Sequence, residues 1–419
     1  MMKFIHTADL HLGRSFHECS LLEDQKAMLT TLSNQLGSDD YAALVVAGDI
    51  YDRSIPSPDA ISLLGSFLGD IRKRFPDLAI LMIAGNHDSP ERIAYGDSLF
   101  AELGIHLVGN PVRAFEPVLV EREGIKCAFF ALPFLSPGSM IALGENGVQD
   151  GSEVSAESGG FGEGEGSGGL PLRSQRDLSA EAARRLEKAR KKALAGGADC
   201  TVLIAHMFAS GGTGSESERV FLGTAEKVDP GLFSGFDYVA LGHLHRRQQV
   251  APNAWYSGSP LAYSFEEADQ DKAFLSVRVG GTSGTVEVEP LTVGPLRRVS
   301  RLDGDFASFN TPDSWRDRRG DYLEISLSDA HLVENPLALL RNRFPYLLSV
   351  RQDTALRGMA EGLGAPGSVP GPSTAGDPTS RRGAAEDFQQ FLVDLYGTVD
   401  GGQKELFTTL VREADDATT

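Results

Sequence analysis

Five short polar motifs each follow an apolar run that is typical of a buried β-strand. In sequence order they supply Asp9 and His11 (DLH), Asp49 and Asp52 (GDIYD), Asn86, His87 and Asp88 (GNHD), His206, and His243 and His245 (GHLH). Residues that directly follow the strands of an α/β sheet converge on one crevice. Carboxylates, a carboxamide and imidazoles suit manganese, iron or zinc better than magnesium or calcium. The pattern predicts a centre for two divalent metal ions, with manganese favoured.

A single DLH or GHLH would be a weak signal, because such motifs are more often structural than metal-binding. The series is stronger, since five of the nine histidines fall in these motifs. Two ions roughly 3.5 to 4 Å apart can activate water and stabilise a phosphoryl group during in-line displacement. Against the carboxylates of Asp9 and Asp49 they leave an excess charge of about +2, which attracts an anion. The predicted chemistry is hydrolysis of a phosphate ester.

Composition limits the ways in which this chain can bind a polyanion. Its 419 residues are enough for two or three domains, and its formal net charge is −19. Binding to nucleic acid needs local positive charge, and we expect metal ions, a basic patch and a partner subunit all to contribute it. The three cysteines show no metal-binding spacing, and there is neither a leader-like start nor an 18-residue apolar run. We therefore expect a cytoplasmic protein with no membrane partner.

Residues 1 to about 280 alternate strand-like and helix-like segments, which predicts a layered α/β domain. The candidate strands are residues 4–7, 43–47, 79–84, 128–132, 201–205, 238–241 and 273–279. A helix is predicted from a cap at Ser179 to a stop at Gly196 and Gly197. His6, on the strand before Asp9, is interpreted as a core residue or a support for the ligands.

The remaining segments differ in composition. We assign 1–285 to the phosphoesterase domain, with an acidic insert at about 145–169 that lacks lysine and arginine and is predicted to be disordered. Residues 295–353 read as a small α/β domain and 354–385 as a flexible linker. In 386–419, apolar residues recur at helical spacing. This helical segment either docks on the body or binds a partner.

The quoted motifs resemble those of the calcineurin-like metallophosphoesterase superfamily, and within it the SbcD-type nuclease subunits of bacteria. The segments that carry the resemblance are KFIHTADLHLGRSF, VVAGDIYDRSIPS, AGNHDS, ESERVFLGT, YVALGHLHRRQ and YSGSPLAYSFEE. The resemblance spans about residues 2–280 and is looser beyond. It implies a layered β-sandwich flanked by helices, a capping domain at 295–353 and C-terminal helices that bind an ATPase. The acidic insert and the long linker depart from the family pattern.

The resemblance also implies a role for each site residue. One metal would be held by Asp9, His11, Asp49 and His245, and the other by Asp49, Asn86, His206 and His243. His87 would contact the scissile phosphate and help protonate the leaving oxygen, while Asp52 would orient His87. Arg14, Arg246 and Arg247 are candidate contacts to the DNA backbone, an interpretation weighed against plain surface charge.

The activity implied by the resemblance is that of a manganese-dependent DNA nuclease, both a double-strand exonuclease and a single-strand or hairpin endonuclease. It would act in DNA end processing, repair and recombination, as a homodimer within a heterotetramer that includes an SbcC-type coiled-coil ABC ATPase. Two alternatives stay open. One is a stand-alone phosphodiesterase acting on nucleotides or small phosphodiesters, and the other is a non-enzymatic scaffold.

Overall fold

The computed structural model describes residues 1–140, 172–214, 227–280, 286–311 and 314–352. All of them belong to one compact unit, Met1–Gly358. The predictions made for the acidic insert, the ESERVFLGT segment, the linker and the helical segment 386–419 fall outside the described residues. Within the described ranges, no helix is both long and apolar enough to cross a bilayer.

The described residues form the following strands and α-helices. The strands are β1 (Met2–Thr7), β2 (Ser15–Phe16), β3 (Cys19–Ser20), β4 (Ala43–Val46), β5 (Ala79–Ile83), β6 (Ile105–Val108), β7 (Val118–Arg122), β8 (Ile125–Leu132), β9 (Cys200–His206), β10 (Tyr238–Gly242), β11 (Gln248–Ala251), β12 (Ala254–Tyr256), β13 (Ala273–Val279), β14 (Glu287–Thr292), β15 (Val299–Gly304), β16 (Tyr322–Leu327) and β17 (Leu347–Gln352). The α-helices are α1 (Leu22–Leu36), α2 (Pro58–Arg74), α3 (Pro90–Ile93), α4 (Asp97–Ala101), α5 (Gln175–Ala195), α6 (Phe306–Asn310) and α7 (Pro336–Arg341).

Two six-stranded sheets form the centre of the domain, in the orders β14-β13-β1-β4-β5-β6 and β11-β12-β10-β9-β8-β7. Buried apolar side chains from both sheets fill the layer between them. The Phe4 ring of the first sheet lies 5.4 Å from Phe129 and 5.7 Å from Tyr238 of the second. Helices α1 and α2 cover the outer face of the first sheet, and α5 covers that of the second. The predicted layered α/β fold is confirmed.

Strands β4, β5 and β10 lie between parallel neighbours and consist almost entirely of apolar residues, because both of their faces are covered. Strand β1 pairs in parallel with β4, and β9 pairs in parallel with β8 and β10. All seven residues of β9 are buried. Each strand predicted from the sequence is present, with ends that differ by a few residues. The parallel arrangement brings the carboxyl ends of β1, β4 and β5 to one edge of the first sheet.

The predicted start of the helix before β9 is wrong. Helix α5 begins five residues earlier than expected, at Gln175, and the hydroxyl of its cap Ser174 accepts a hydrogen bond from the Asp177 backbone N–H at 3.0 Å. Ser179 is buried inside the helix instead of capping it. Leu178 explains the difference, since it extends the buried face of the helix by one turn. Ser174 therefore provides the same capping chemistry at the true boundary.

A three-stranded parallel sheet, β15-β16-β17, follows the first domain and has its own apolar core. This small module packs on α1 through Asp24, which is buried. The Asp24 carboxylate accepts hydrogen bonds from the Tyr322 hydroxyl at 2.7 Å and from the Arg297 guanidinium at 2.9 Å. The first sheet extends through β14 to Thr292, seven residues past the domain limit placed at 285.

His6 bridges the two sheets and is fully buried. Its Nε2 lies 3.2 Å from the Leu241 carbonyl oxygen, which can only accept, so that nitrogen carries the proton. Its Nδ1 lies 3.0 Å from the Tyr238 hydroxyl, which then donates to it. Burial lowers the pKa of His6 from 6.5 to about 3, despite the opposing effect of the Leu241 carbonyl. His6 is thus a neutral core residue.

This burial predicts a specific acid sensitivity. The pKa of His6 is lower in the folded protein than in the unfolded chain. The contribution of neutral His6 to the free energy of unfolding is therefore fully present above pH 6.5 and is lost as pH falls toward about 3. In that window the unfolded chain binds one more proton, which steepens the pH dependence of unfolding by about 1.4 kcal/mol per pH unit. His6→Gln should remove this part of the slope of the free energy of unfolding between roughly pH 6 and 4.

The measurement is urea unfolding of metal-free protein at several pH values, with the exposed residue His331 changed in His331→Gln as the control. The control should keep the wild-type slope. Parallel profiles for the wild type and His6→Gln would contradict the assignment.

Candidate metal centre

The predicted ligands lie at the carboxyl ends of strands from both sheets. Strands β1, β4 and β5 of the first sheet lead to Asp9, Asp49 and Asn86, and β9 of the second sheet ends at His206. Strand β10 leads directly into His243. The site therefore spans the edge where the two sheets meet, and neither sheet could form it alone.

One group of donor atoms contains Asp9, His11 and His245, whose candidate ligand atoms all lie within 4.8 Å of one another. All three residues are buried. The Nε2 atoms of His11 and His245 lie 3.1 Å apart. Asp49 Oδ2 lies 3.7 Å from His11 Nε2. This is the set that the family resemblance assigns to the first metal.

The second group surrounds the side-chain oxygen of Asn86. Oδ1 of Asn86 lies 2.9 Å from His206 Nε2 and 2.8 Å from His243 Nδ1. Oδ2 of Asp49 lies 3.6 Å from His206 Nε2. Asp49 therefore lies between the two groups. The structure brings together all seven residues that the sequence predicted as ligands.

The protonation of His206 shows that a cation fits this cluster. Its Nδ1 lies 2.8 Å from the Ala47 carbonyl oxygen, which can only accept, so the proton of the neutral ring is on Nδ1. Its Nε2 then presents a lone pair to the oxygen of Asn86, a second acceptor. Within the described residues, the buried Nδ1 of His11, Nδ2 of Asn86 and Nε2 of His243 have no hydrogen-bond partner. Two hydrogen-bond acceptors that face each other away from solvent repel, and a cation bound between them removes that cost.

Burial also keeps His11, His206 and His243 in the neutral form that binds metals. It lowers the pKa of His206, lowers that of His243 to about 3, and with the nearby His245 lowers that of His11 well below its usual value. Burial acts to raise the pKa of Asp49, but His206 and His87 outweigh it and the net shift is downward. The centre thus combines neutral imidazoles with an ionised carboxylate.

Several ligands have a backbone conformation that is unusual for residues other than glycine. The φ angles are +54° at Asp9, +44° at His11, +49° at Asp49 and +110° at His243. Positive φ costs free energy and is concentrated at functional sites. Hydrogen bonds between the first two loops hold the conformation, since the Asp9 N–H donates to the Gly48 carbonyl and the His11 N–H to that of Asp49, both at 3.0 Å.

Two motif glycines are required by close backbone approach. A Cβ added at Gly85 would overlap the Asp49 carboxylate, and one added at Gly242 would overlap the Ala47 carbonyl oxygen. In both cases a side chain would push apart loops that carry ligands. The glycines of GNHD and GHLH are therefore part of the packing that forms the centre.

Asp52 contacts His87 in a different way from the one expected. The Asp52 backbone carbonyl, and not its carboxylate, lies 2.9 Å from His87 Nδ1. The carboxylate pairs with Arg14 Nη1 at 3.2 Å and lies 3.7 Å from His11 Nδ1. The orientation of His87 therefore depends on the main chain at Asp52. Nε2 of His87 lies 4.0 Å from Asp49 Oδ2 and so faces the cluster.

The three candidate DNA contacts have different surroundings. Arg14 is partly buried, with its guanidinium carbon 4.9 Å from the centroid of the Tyr263 ring. Its ion pair with Asp52 makes it part of the centre's wall. Arg246 is exposed and Arg247 is half-buried. A DNA-binding role for these residues stays a prediction.

Sequence reasoning missed residues that hold the ligands in place. Gln25 of α1 donates to the His11 carbonyl at 2.7 Å and accepts from the Gly13 N–H at 2.9 Å. Glu267 is fully buried and lies 3.3 Å from His245 Nδ1. Burial acts to raise the pKa of Glu267, but Lys272 and His245 outweigh it and the pKa lies well below its usual value. In the sequence, the acidic pair in YSFEE is the feature that could have drawn attention to Glu267.

Asp88 also supports the centre from behind. Its carboxylate accepts hydrogen bonds from the backbone N–H groups of Ile50, Tyr51 and Gly85 at 2.9 to 3.0 Å. Burial and the nearby Asp49 raise the pKa of Asp88 to about 7, against the effect of these donors. Asp88 thus ties the loop that bears Asp49 to the loop that bears Asn86.

A family model described as calcineurin-like phosphoesterase matches residues 2–247. This range covers more than half of the chain and includes all seven predicted ligands and His87. The chain belongs to the calcineurin-like phosphoesterase family. Its centre is accordingly that of a phosphoester hydrolase that binds two divalent metal ions, and the residues present fit such ions.

Several solved structures are similar to parts of this chain. TT1561 of Thermus thermophilus is 12% identical, with 69% of this chain and 98% of that chain covered at a TM-score of 0.34. YfkN from Bacillus subtilis is 12% identical, with 70% and 90% covered at 0.34. GAP50, the anchor in the inner membrane complex of Plasmodium, is 11% identical, with 70% of this chain and 89% of that chain covered at 0.34. Scores this low add nothing to the family match.

The two groups of donor atoms predict separable metal sites. Asn86→Ala should reduce bound Mn²⁺ from two ions per chain to about one, because Asn86 belongs to one group only. Asp49→Ala should weaken the binding of both ions, since Asp49 lies between the groups. Calorimetric titration of metal-free protein with Mn²⁺ and elemental analysis would measure this.

His106→Gln, at a position outside the cluster, is the control and should leave two ions bound. Retention of both ions in Asn86→Ala would contradict the assignment of the second group.

Proposed function

We propose that this phosphoesterase is a manganese-dependent DNA nuclease of the SbcD type. It acts as a double-strand exonuclease and as a single-strand or hairpin endonuclease, in the cytoplasm, in DNA end processing, repair and recombination. The observation that carries hydrolysis of a phosphodiester is the cluster of seven candidate ligand residues, six of them buried and Asn86 half-buried, with His87 beside Asp49. The choice of DNA as substrate is supported by the motif resemblance that extends through YSGSPLAYSFEE.

Different residues of the centre would hold each of the two ions. Asp9, His11, Asp49 and His245 would hold one ion, and Asp49, Asn86, His206 and His243 the other. When bound, the two ions supply positive charge for the phosphate group and lower the pKa of water for in-line attack. The Ala47 carbonyl fixes the His206 proton on Nδ1, so that Nε2 always faces the cluster.

His87 is suited to donate a proton to the leaving oxygen. The Asp52 carbonyl accepts from Nδ1–H at 2.9 Å, which directs Nε2 toward the cluster. A proton carried on Nε2 then points toward the cluster, where Nε2 lies 4.0 Å from Asp49 Oδ2. Transfer of that proton to the departing alkoxide leaves a neutral ring that keeps its hydrogen bond to Asp52.

The small module at 299–352 is connected to the centre by a short path. Tyr322 of the module donates to Asp24, and the next residue, Gln25, donates to the His11 carbonyl. A shift of the module would be transmitted through α1 to the loop that holds His11. This path supports the proposal that the module is a capping domain that controls which DNA reaches the ions.

The acidity of the chain favours a shared DNA-binding surface. With 58 acidic and 39 basic residues, the chain as a whole repels a polyanion, and attraction must be local or come from a partner. We propose that an SbcC-type coiled-coil ABC ATPase binds the segment 386–419, in a heterotetramer built on a homodimer of this chain. The apolar periodicity of that segment supports a helix-in-groove contact.

The proposal is tested by nuclease assays with Mn²⁺ on linear duplex DNA and on a small chromogenic phosphodiester, each with and without the ATPase and ATP. We expect the partner to stimulate cleavage of DNA. A chain lacking residues 386–419 should hydrolyse the small diester as the full chain does but lose the stimulation and the binding. Cleavage of the small diester alone, independent of the partner, would instead establish a stand-alone phosphodiesterase.

A second variant tests the role of His87. His87→Gln should lower DNA cleavage by about 10² to 10⁴-fold, the usual contribution of a general acid. It should still bind two Mn²⁺ ions, because His87 is assigned to the substrate and not to a metal. Elemental analysis beside the rate assay separates the two roles, with Asn86→Ala as the variant that should lose an ion. Loss of both ions in His87→Gln would overturn the assignment.

A further inference from the structure

Glu267 is a buried carboxylate whose position the hydrolytic roles do not explain. It ends a short helical turn, Phe265–Glu267, and is completely shielded from solvent. A carboxylate is almost never fully buried unless it is paired. The partners of the Glu267 carboxylate therefore indicate its role.

The two oxygens of Glu267 have different partners. Oε1 lies 3.3 Å from His245 Nδ1 and accepts from the Ser264 hydroxyl at 3.1 Å. Oε2 accepts from Lys272 Nζ at 2.6 Å. One oxygen is thus turned toward a ligand ring and the other toward a cation that balances the charge.

Lys272 contacts the same histidine from its backbone side. Its Nζ donates to the His245 carbonyl at 3.0 Å and to the Ser259 hydroxyl at 3.0 Å. The Ser259 backbone N–H also donates to the His245 carbonyl, at 3.1 Å. His245 is therefore fixed at its ring by Glu267 and at its main chain by Lys272 and Ser259.

The contact to Glu267 also decides which nitrogen of His245 carries the proton. Because a carboxylate accepts and cannot donate, Nδ1 carries the proton and Nε2 presents a lone pair toward His11 Nε2, 3.1 Å away. A carboxylate behind a ligating histidine also makes its other nitrogen a stronger donor.

We propose that Glu267 is a positioning residue that orients His245 and strengthens it as a ligand, with Lys272 balancing the charge of Glu267. The effect is centred on the ion held by Asp9, His11 and His245, because the contacts of Glu267 and Lys272 converge on His245, which belongs to that group alone. The inference rests on the proposed two-ion centre.

The test is calorimetric titration of metal-free protein with Mn²⁺, with no DNA present. In Glu267→Ala we expect one of the two affinities to fall by about 10 to 100-fold, the usual effect of removing such a partner. Glu267→Gln should fall less, because its amide oxygen can still accept from Nδ1. In the electron paramagnetic resonance spectrum, the coupled two-manganese signal should give way to that of single ions at Mn²⁺ concentrations that saturate the wild type.

Glu324→Gln is the matched control. Glu324 is another buried carboxylate, paired with Arg301 at 3.2 Å and Arg351 at 3.1 Å in the small module. This variant should lose stability without changing either Mn²⁺ affinity. If Glu267→Ala does not fold, Glu267→Gln combined with Lys272→Met removes both charges. It should show a selective loss at least as large as that of Glu267→Gln, because the Lys272 contact to the His245 carbonyl is also removed.

Wild-type affinities in the folded variants, or equal weakening of both ions, would overturn the inference. Failure of the wild type itself to bind two ions would instead overturn the metal centre, so the two failures are distinguishable.

Discussion

The structure depends on holding electron-pair donors against one another in a buried place. Carboxylates and neutral imidazoles meet at the carboxyl ends of strands from two sheets, and an imidazole nitrogen of His206 faces the side-chain oxygen of Asn86 at 2.9 Å. In a medium of low dielectric constant such a cluster is unfavourable unless positive charge is present. The same property that makes the arrangement costly on its own gives the site its affinity for divalent ions.

The rest of the domain provides the rigidity that this arrangement needs. Ligands with positive φ, such as Asp49 and His243, stay in place because neighbouring loops are bound to each other through main-chain hydrogen bonds. Asp88 joins two of these loops by accepting from three backbone N–H groups. The packed layer between the sheets then keeps the two halves of the cluster in register. Strain at the centre is thus compensated by interactions outside it.

A second layer of polar residues links the centre to more distant parts of the chain. Gln25 holds the His11 carbonyl, and its neighbour Asp24 anchors the small module through Tyr322 and Arg297. On the other side, Glu267 and Lys272 hold His245. In both places a ligand is held by a residue that lies well away from it in sequence, so the geometry of the metal centre depends on the assembled fold.

The sequence by itself determined the fold class and the central strands, and it predicted the candidate ligands that the structure brings together. Continuous apolar runs identify buried parallel strands, and the polar motifs directly after them identify the converging edge. Local patterns gave the wrong start for α5, because Ser174 and Ser179 offer the same capping chemistry. Only the tertiary structure decided that the Asp52 carbonyl orients His87, that Asp88 ties two loops, and that Glu267 faces His245. These contacts join segments distant in sequence, and their distances and directions follow from how the two sheets pack.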